Sequence, residues 1–213
     1  MALDPDQEPE AVQLEALDEL QVKVTLVFIA TELALEDKET LATGAQAAFS
    51  GGFTRVCVMP NTDPPLDSPE SIRFIIEKTV DLPVKIFPIG AMTVNQGGVK
   101  ITEIGKLVDA GAVAISDDGV PVQNGQVLRY AMEYAQKYGV PIINHAEDVH
   151  LRNDGVMNES SLSTRLGMPG NPDISESVMV HRDLEIADYC GGKIHVPHVS
   201  TQRSVDLIRR YKK

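Results

Sequence analysis

The chain has 213 residues, long enough for one domain with a sizeable core, and its 43% hydrophobic and 23% charged content are ordinary for a soluble globular protein. Acidic residues outnumber basic ones 31 to 19, for a formal net charge of -12, and no basic cluster offers a counter-surface to a phosphate backbone, which argues against nucleic acid. The longest apolar stretch, Val24 to Ala30, falls far short of the roughly eighteen residues of a membrane helix. The first residues carry no basic region followed by a hydrophobic one, so neither a membrane span nor a secretory signal is expected.

Residues 1–21 are expected to form an acidic N-terminal extension. They include Asp4, Asp6, Glu8, Glu10, Glu15, Asp18 and Glu19 and, through residue 20, no base. Val12, Leu14, Leu17 and Leu20 fall roughly on one helical face, which suits either a solvated helical turn or two or a partner-binding arm. A first strand is predicted over Val22 to Ala30, rich in Val, Leu, Ile and Phe. A helix over Asp37 to Ser50 follows, stopped by Gly51-Gly52, and then a strand over Thr54 to Met59. Asp67-Ser68-Pro69-Glu70 opens the next helix with Ser68 as cap and Pro69 at its first position. The third strand runs from Val84 to Ile89, ended by Gly90. A helix over Ile101 to Ala110, a strand over Ala112 to Ile115 and a helix over Val127 to Tyr138 come next.

Val140 to Ile143 reads as the fifth strand, an apolar run without alternation of the kind buried on both faces. Val149 to Pro172 shows no clear periodicity and holds three glycines and two prolines, which suggests a functional loop or lid. A helix over Ile174 to Cys190, a strand over Ile194 to Pro197 and a helix over Ser200 to Tyr211 complete the pattern. Strand and helix thus alternate six times over residues 22–213 with no linker-like break. The expectation is one α/β domain, a TIM-type (β/α) barrel that is incomplete, because a closed barrel of this kind needs eight strands. Cys57 and Cys190 belong to no Cys-x-x-Cys pair and read as reduced packing residues of a cytoplasmic protein.

Chemistry gathers where the strands end, the edge at which α/β folds place their sites. The fifth strand runs into Asn144, His145, Glu147 and Asp148; the fourth into Ser116-Asp117-Asp118-Gly119; the sixth into His198-Val199-Ser200-Thr201. Asp118, His145 and His198 are residue types that hold a borderline metal such as zinc, and their equivalent places on three βα units point to a shared site. Taken singly, each histidine also reads as a hydrogen-bonded strand-end residue and Asp118 as a cap on the turn after Gly119. Asn61 is either a turn residue in Pro60-Asn61-Thr62-Asp63-Pro64 or an amide that orients a polar substrate at the same rim. No Gly-x-Ser-x-Gly elbow and no phosphate loop is present, and Gly51-Gly52 and Gly97-Gly98 read as helix stops and turns.

Several ordered motifs together resemble dihydroorotase, in particular the bacterial type within the amidohydrolase superfamily. They are Gly51-Gly52-Phe53-Thr54, Met59-Pro60-Asn61-Thr62, Ser116-Asp117-Asp118-Gly119, Asn144-His145-Ala146-Glu147-Asp148 and His195-Val196-Pro197-His198-Val199-Ser200-Thr201. Leu35-Glu36-Asp37-Lys38-Glu39-Thr40 and Arg165-Leu166-Gly167-Met168-Pro169-Gly170 fit as well, so the resemblance covers roughly Leu35 to Lys213. It implies a metal-dependent barrel, with one or two zinc ions, that reversibly cyclises N-carbamoyl-aspartate to dihydroorotate in pyrimidine biosynthesis. It also implies that Asp118 is a carboxylate shared between metals, that His145 and His198 hold the second metal, and that Asn61 contacts the substrate carboxylate. Homo-oligomers and a transcarbamoylase partner are the assemblies it suggests.

The family's His-x-His pair and carboxylate-gripping arginine have no match in Val27-Phe28-Ile29-Ala30-Thr31-Glu32-Leu33-Ala34. Its general-base aspartate would fall beyond Lys213, so no residue here is assigned as the catalytic base, and this chain alone is expected to be truncated or inactive. Two other readings stay open. One is a non-catalytic dihydroorotase-like scaffold or partner subunit; the other is a hydantoinase or allantoinase type of cyclic amidohydrolase, whose members generally use a carboxylated lysine in place of Asp118.

Overall fold

A computed structural model of the chain describes residues 28–29, 40–152 and 154–212. The acidic extension expected over residues 1–21 and all of the first expected strand except Phe28–Ile29 lie outside them. Local capping chemistry sets the early helices. Helix α1 (Leu41–Ser50) starts at Thr40, whose hydroxyl accepts from the Thr43 amide at 3.1 Å while the Thr43 hydroxyl accepts from the Thr40 amide at 2.9 Å. Helix α2 (Pro69–Thr79) repeats the device with Ser68 and Ser71 and carries Pro69 in its first turn, as the sequence predicts.

Strands β1 (Phe28–Ile29), β2 (Arg55–Val58), β3 (Lys85–Ala91), β4 (Ala114–Ser116) and β5 (Ile142–Ile143) pair in chain order, and every pair is parallel. Two further strands, β6 (Met157–Asn158) and β7 (Gly170–Asn171), pair with each other, and β8 (Ile194–His195) joins the other edge of β5, giving a six-stranded sheet among the described residues. Among the described residues the two edge strands, β1 and β8, do not meet, so the barrel is incomplete as expected.

The two faces of the sheet do different work because successive residues of a strand point to opposite sides. Val56, Val58, Ile86, Ile115 and Ile142 belong to the main core, with Ile72 and Ile75 of α2, Leu107 of α3 (Ile104–Asp109) and Leu128 and Met132 of α4 (Gly125–Lys137). Full burial of each such aliphatic side chain contributes about 1.5–3 kcal/mol. Cys57, Met59, Ile89, Ala114 and Ile143 form a separate, smaller cluster. Strand β3 runs through Gly90 instead of stopping at it. A Cβ at Gly90 would come within 2.9 Å of Leu107 Cδ1 and 3.2 Å of Ile115 Cδ1, so this glycine serves close helix–sheet packing, not strand termination.

The stretch expected to be an aperiodic loop, Val149 to Pro172, contains α5 (Val149–Arg152), β6, α6 (Ser161–Leu166) and β7. Its signals are local, not periodic: Ser160 caps α6 reciprocally with Ser163, and Gly167 ends it at φ 65°. Helix α7 (Ile174–Cys190) ends at Gly191 in the left-handed region, and α8 (Gln202–Tyr211) closes the chain. Both cysteines are free; burial pushes the Cys57 thiol up to about 12, which leaves it inert. No helix among the described residues is long and apolar enough to cross a membrane.

Candidate metal centre

Register brings the site together before any side chain is considered. Ser116 of β4 pairs with Ile143 of β5, and Ile143 pairs with His195 of β8. Asp118, His145 and His198 therefore leave the sheet at nearly the same height, two, two and three residues beyond that row. One donor atom from each lies within 4.8 Å of the others. His145 Nδ1 is 3.2 Å from His198 Nε2, and Asp118 Oδ1 is 4.0 Å from the former and 3.9 Å from the latter.

Three groups able to offer lone pairs stand this close only with protons or a cation among them, and the 3.2 Å contact between the two rings is itself a hydrogen bond. Tetrahedral ligands about 2 Å from a zinc-sized ion stand about 3.3 Å apart; the two imidazole nitrogens match that spacing and the Asp118 oxygen stands somewhat wider, and two imidazoles with one carboxylate are a suitable donor set. The residues fit a divalent metal. Asp118 comes first among the influences on His198, raising its pKa above the ordinary histidine range against the opposing effect of burial. Burial, with the neighbouring His198 charge, lowers that of His195.

Asn61, past β2, stands beside the turn that carries Asp118: a Cβ on Gly119 would lie 3.8 Å from Asn61 Nδ2. Its Oδ1 is buried without a hydrogen-bond partner, unusual for an amide that served only a turn. Gln96, in a short 3₁₀ turn (Val94–Gln96), donates from Nε2 to the Asp118 carbonyl at 3.4 Å. Both Asn95 and Gln96 hold positive φ, at 52° and 50°. Sequence reasoning passed over them because the neighbouring glycines suggested an ordinary turn.

Behind the convergent residues lies a layer that sequence reasoning did not separate from them. Asp117 is fully buried and accepts from the Met92 amide at 2.8 Å, the Thr93 amide at 3.0 Å and the Thr93 hydroxyl. Burial pushes its carboxyl up to about 6, with the Thr93 and Met92 donors pulling the other way. Asn144 donates to Asp183 Oδ2 at 2.5 Å, and Asp183 Oδ1 accepts from Arg182 Nε and Nη2 at 2.8 and 2.7 Å. Burial raises the Asp183 pKa, and the Arg182 charge with the Asn144 amide oppose it. Glu147 Oε2 is 3.5 Å from His145 Nε2, on the ring edge away from the other ligands, and Glu147 Oε1 accepts from Asn171 Nδ2 at 3.2 Å. A cleft of about 320 Å³ opens beside the cluster, lined by His145, Glu147, Asn171, Glu176 and His198 among others.

A family model described as dihydro-orotase-like matches residues 20–204. The chain belongs to the dihydro-orotase-like family. Within that family, a dihydroorotase of Desulforapulum autotrophicum is 46% identical over 178 residues, which cover 83% of this chain and 42% of the relative. A dihydroorotase of Ruminiclostridium cellulolyticum is 42% identical over 205 residues, 93% of this chain and 48% of the relative. The chain thus spans under half the length of the curated relatives it matches. Among solved structures, an L-hydantoinase (dihydropyrimidinase) from Arthrobacter aurescens superposes with a TM-score of 0.66 at 21% identity, over 87% of this chain and 44% of that one. That likeness concerns the fold alone, and it supports the incomplete TIM-type (β/α) barrel.

Proposed function

We propose that this dihydro-orotase-like chain supplies part of a zinc site for the reversible cyclisation of N-carbamoyl-aspartate to dihydroorotate. Asp118, His145 and His198 are its metal ligands in this reading, and Asn61 is its contact to the substrate carboxylate. The observation that carries the reading is the convergence of one carboxylate oxygen and two imidazole nitrogens from three separate βα units within 4.8 Å. A bound divalent ion supplies Lewis acidity at the amide carbonyl and activates water. The chain's own residues hold and orient. The Asn61 amide is placed beside the Asp118 turn, where its Nδ2 would donate to a substrate carboxylate.

The domain assignment that goes with this reading is an acidic extension over residues 1–21 and a partial barrel over 22–213. A cytoplasmic location, and either homo-oligomerisation or a transcarbamoylase partner, also belong to it. The family's His-x-His pair has no counterpart in Val27–Ala34, so metal binding, not turnover, is the test suited to this chain. Protein purified without chelator should carry near-stoichiometric zinc by plasma emission, and His145→Ala or His198→Ala should remove it. Folded protein that neither retains zinc nor takes it up on reconstitution would sink the reading and favour the non-catalytic scaffold. The hydantoinase or allantoinase alternative gains nothing from the solved structures, whose likeness is one of fold.

A further inference from the structure

We propose that Glu176 is a positioning residue for His198: its carboxylate clamps the chain just beyond that histidine and so fixes where the imidazole stands. The inference rests on the metal-site reading above. Glu176 lies in the first turn of α7, and both of its oxygens are engaged. Oε2 accepts from the Ser200 amide at 2.9 Å and the Ser200 hydroxyl at 2.5 Å. Oε1 accepts from the Thr201 amide at 3.0 Å and the Thr201 hydroxyl at 2.7 Å. All of these donors come from the two residues that follow His198-Val199.

The segment so held is one that would not hold itself. His198 has φ 38°, a conformation that a residue with a Cβ rarely adopts and keeps only where its surroundings over-determine it. Pro197, with its ring-fixed φ, restricts the chain on one side. On the other, Thr201 is the cap of α8, accepting from the Ser204 amide at 3.2 Å, so the clamp ties His198 to two helix starts at once. The same arrangement in a structural role would serve only to join α7 to α8. That simpler role has its own device nearby, the exposed Arg203 Nε to Asp173 Oδ2 pair at 2.6 Å, which links the same two helix starts without touching Ser200 or Thr201.

Glutamine cannot replace Glu176, because its NH₂ would face a backbone N–H that has no way to turn round. The full chain carrying Glu176→Gln should bind zinc about tenfold or more weakly than wild type, as expected when a group that orients a metal-binding histidine is lost. Arg203→Ala should leave zinc affinity unchanged. Histidine-ring NMR supplies a readout that needs no metal. Glu176→Gln should shift the His198 ring resonances and leave those of His181, which lies on the body of α7, in place. Should Glu176→Gln fail to fold, Ser200→Ala removes one hydroxyl donor and should weaken zinc binding in the same direction by a smaller factor. Equal zinc affinity in wild type and Glu176→Gln, or an equal loss in Arg203→Ala, overturns the proposal. If wild type itself takes up no zinc, the metal reading fails. The ring resonances then decide this proposal alone: movement of His198 supports it, and an unmoved His198 overturns it.

Discussion

Two layers of polar side chains at the ends of β4, β5 and β8 differ by single steps along the chain. Asp118 and His145 bring a carboxylate oxygen and a ring nitrogen together with His198, within 4.8 Å of one another. Their immediate predecessors, Asp117 and Asn144, are buried and spend themselves on the fold: Asp117 receives three donors from Met92 and Thr93, and Asn144 reaches the Arg182-paired Asp183. Neighbours in extended chain face opposite sides, so a strand end delivers one residue to the site and the next to its support. The difference between the layers is a difference in what substitution should cost. The supporting layer holds stability, and the convergent layer holds ligand affinity.

The largest expected effect lies in the supporting layer, at Asp183. Asp183→Ala removes the acceptor of the Asn144 amide and the partner of the Arg182 guanidinium, whose side chain is only 23% exposed. Breaking a buried ion pair by deleting one member costs about 3–5 kcal/mol. Arg182 keeps its bonds to the Val122 and Gln123 carbonyls, at 3.0 and 2.9 Å, so the lower end, about 3 kcal/mol, is expected in urea unfolding. Loss of under about 1 kcal/mol would mean that this network is not part of the support.

The adjacent aspartates give the sharpest form of the contrast. Asp117→Ala strands the Thr93 amide and hydroxyl, at a cost of about 4 kcal/mol together, while the Met92 amide keeps its bond to the Ser116 carbonyl at 2.9 Å. Relief of a carboxylate pushed up from 3.8 to about 6 returns about 3 kcal/mol at neutral pH, leaving a net loss of about 1 kcal/mol. Asp118→Ala, one residue on, should change the stability of the metal-free protein by no more than about 0.5 kcal/mol and abolish stoichiometric zinc binding. Denaturant midpoints and metal content measured on both variants decide the matter. The reverse pattern, with Asp117→Ala stable but metal-free, would exchange their roles.

This contrast also marks how far the sequence could be read. Asp118, His145 and His198 were legible because each follows a short apolar run that announces a buried strand, and the rim of such a sheet is where chemistry sits. Ser68-Pro69 was legible because capping is local. That Asp117 would be fully buried and bonded to Met92 and Thr93 was not, since nothing in Ser116-Asp117-Asp118-Gly119 names partners 24 or 25 residues away. Asp183 and Glu176 were invisible for another reason: their partners lie 39 and 24 to 25 residues away, and on a helix each looks like one more solvated acid. The short helices and strands between Val149 and Pro172 were missed because caps and glycines define them in the absence of any apolar period. Asn61 reads in the sequence as either turn or ligand, and what no sequence pattern could show is its unpartnered Oδ1 and its place beside Gly119.

The smallest effect, and the one that tests whether a supporting carboxylate acts as a charge, is a pH dependence. Burial alone would raise the Glu176 pKa, but the Ser200, Ser204 and Thr201 donors outweigh it and hold the group below its ordinary 4.5. A carboxyl whose folded pKa is depressed binds fewer protons folded than unfolded in that interval, so stability rises with pH there. Its contribution is complete above 4.5 and fades as pH falls through the lower folded value. The stability gap between wild type and Glu176→Gln should therefore be constant near neutrality and shrink on acidification below 4.5. A gap that stays level through that range would mean that Glu176 holds the His198 segment by shape, and that its charge adds nothing to the grip.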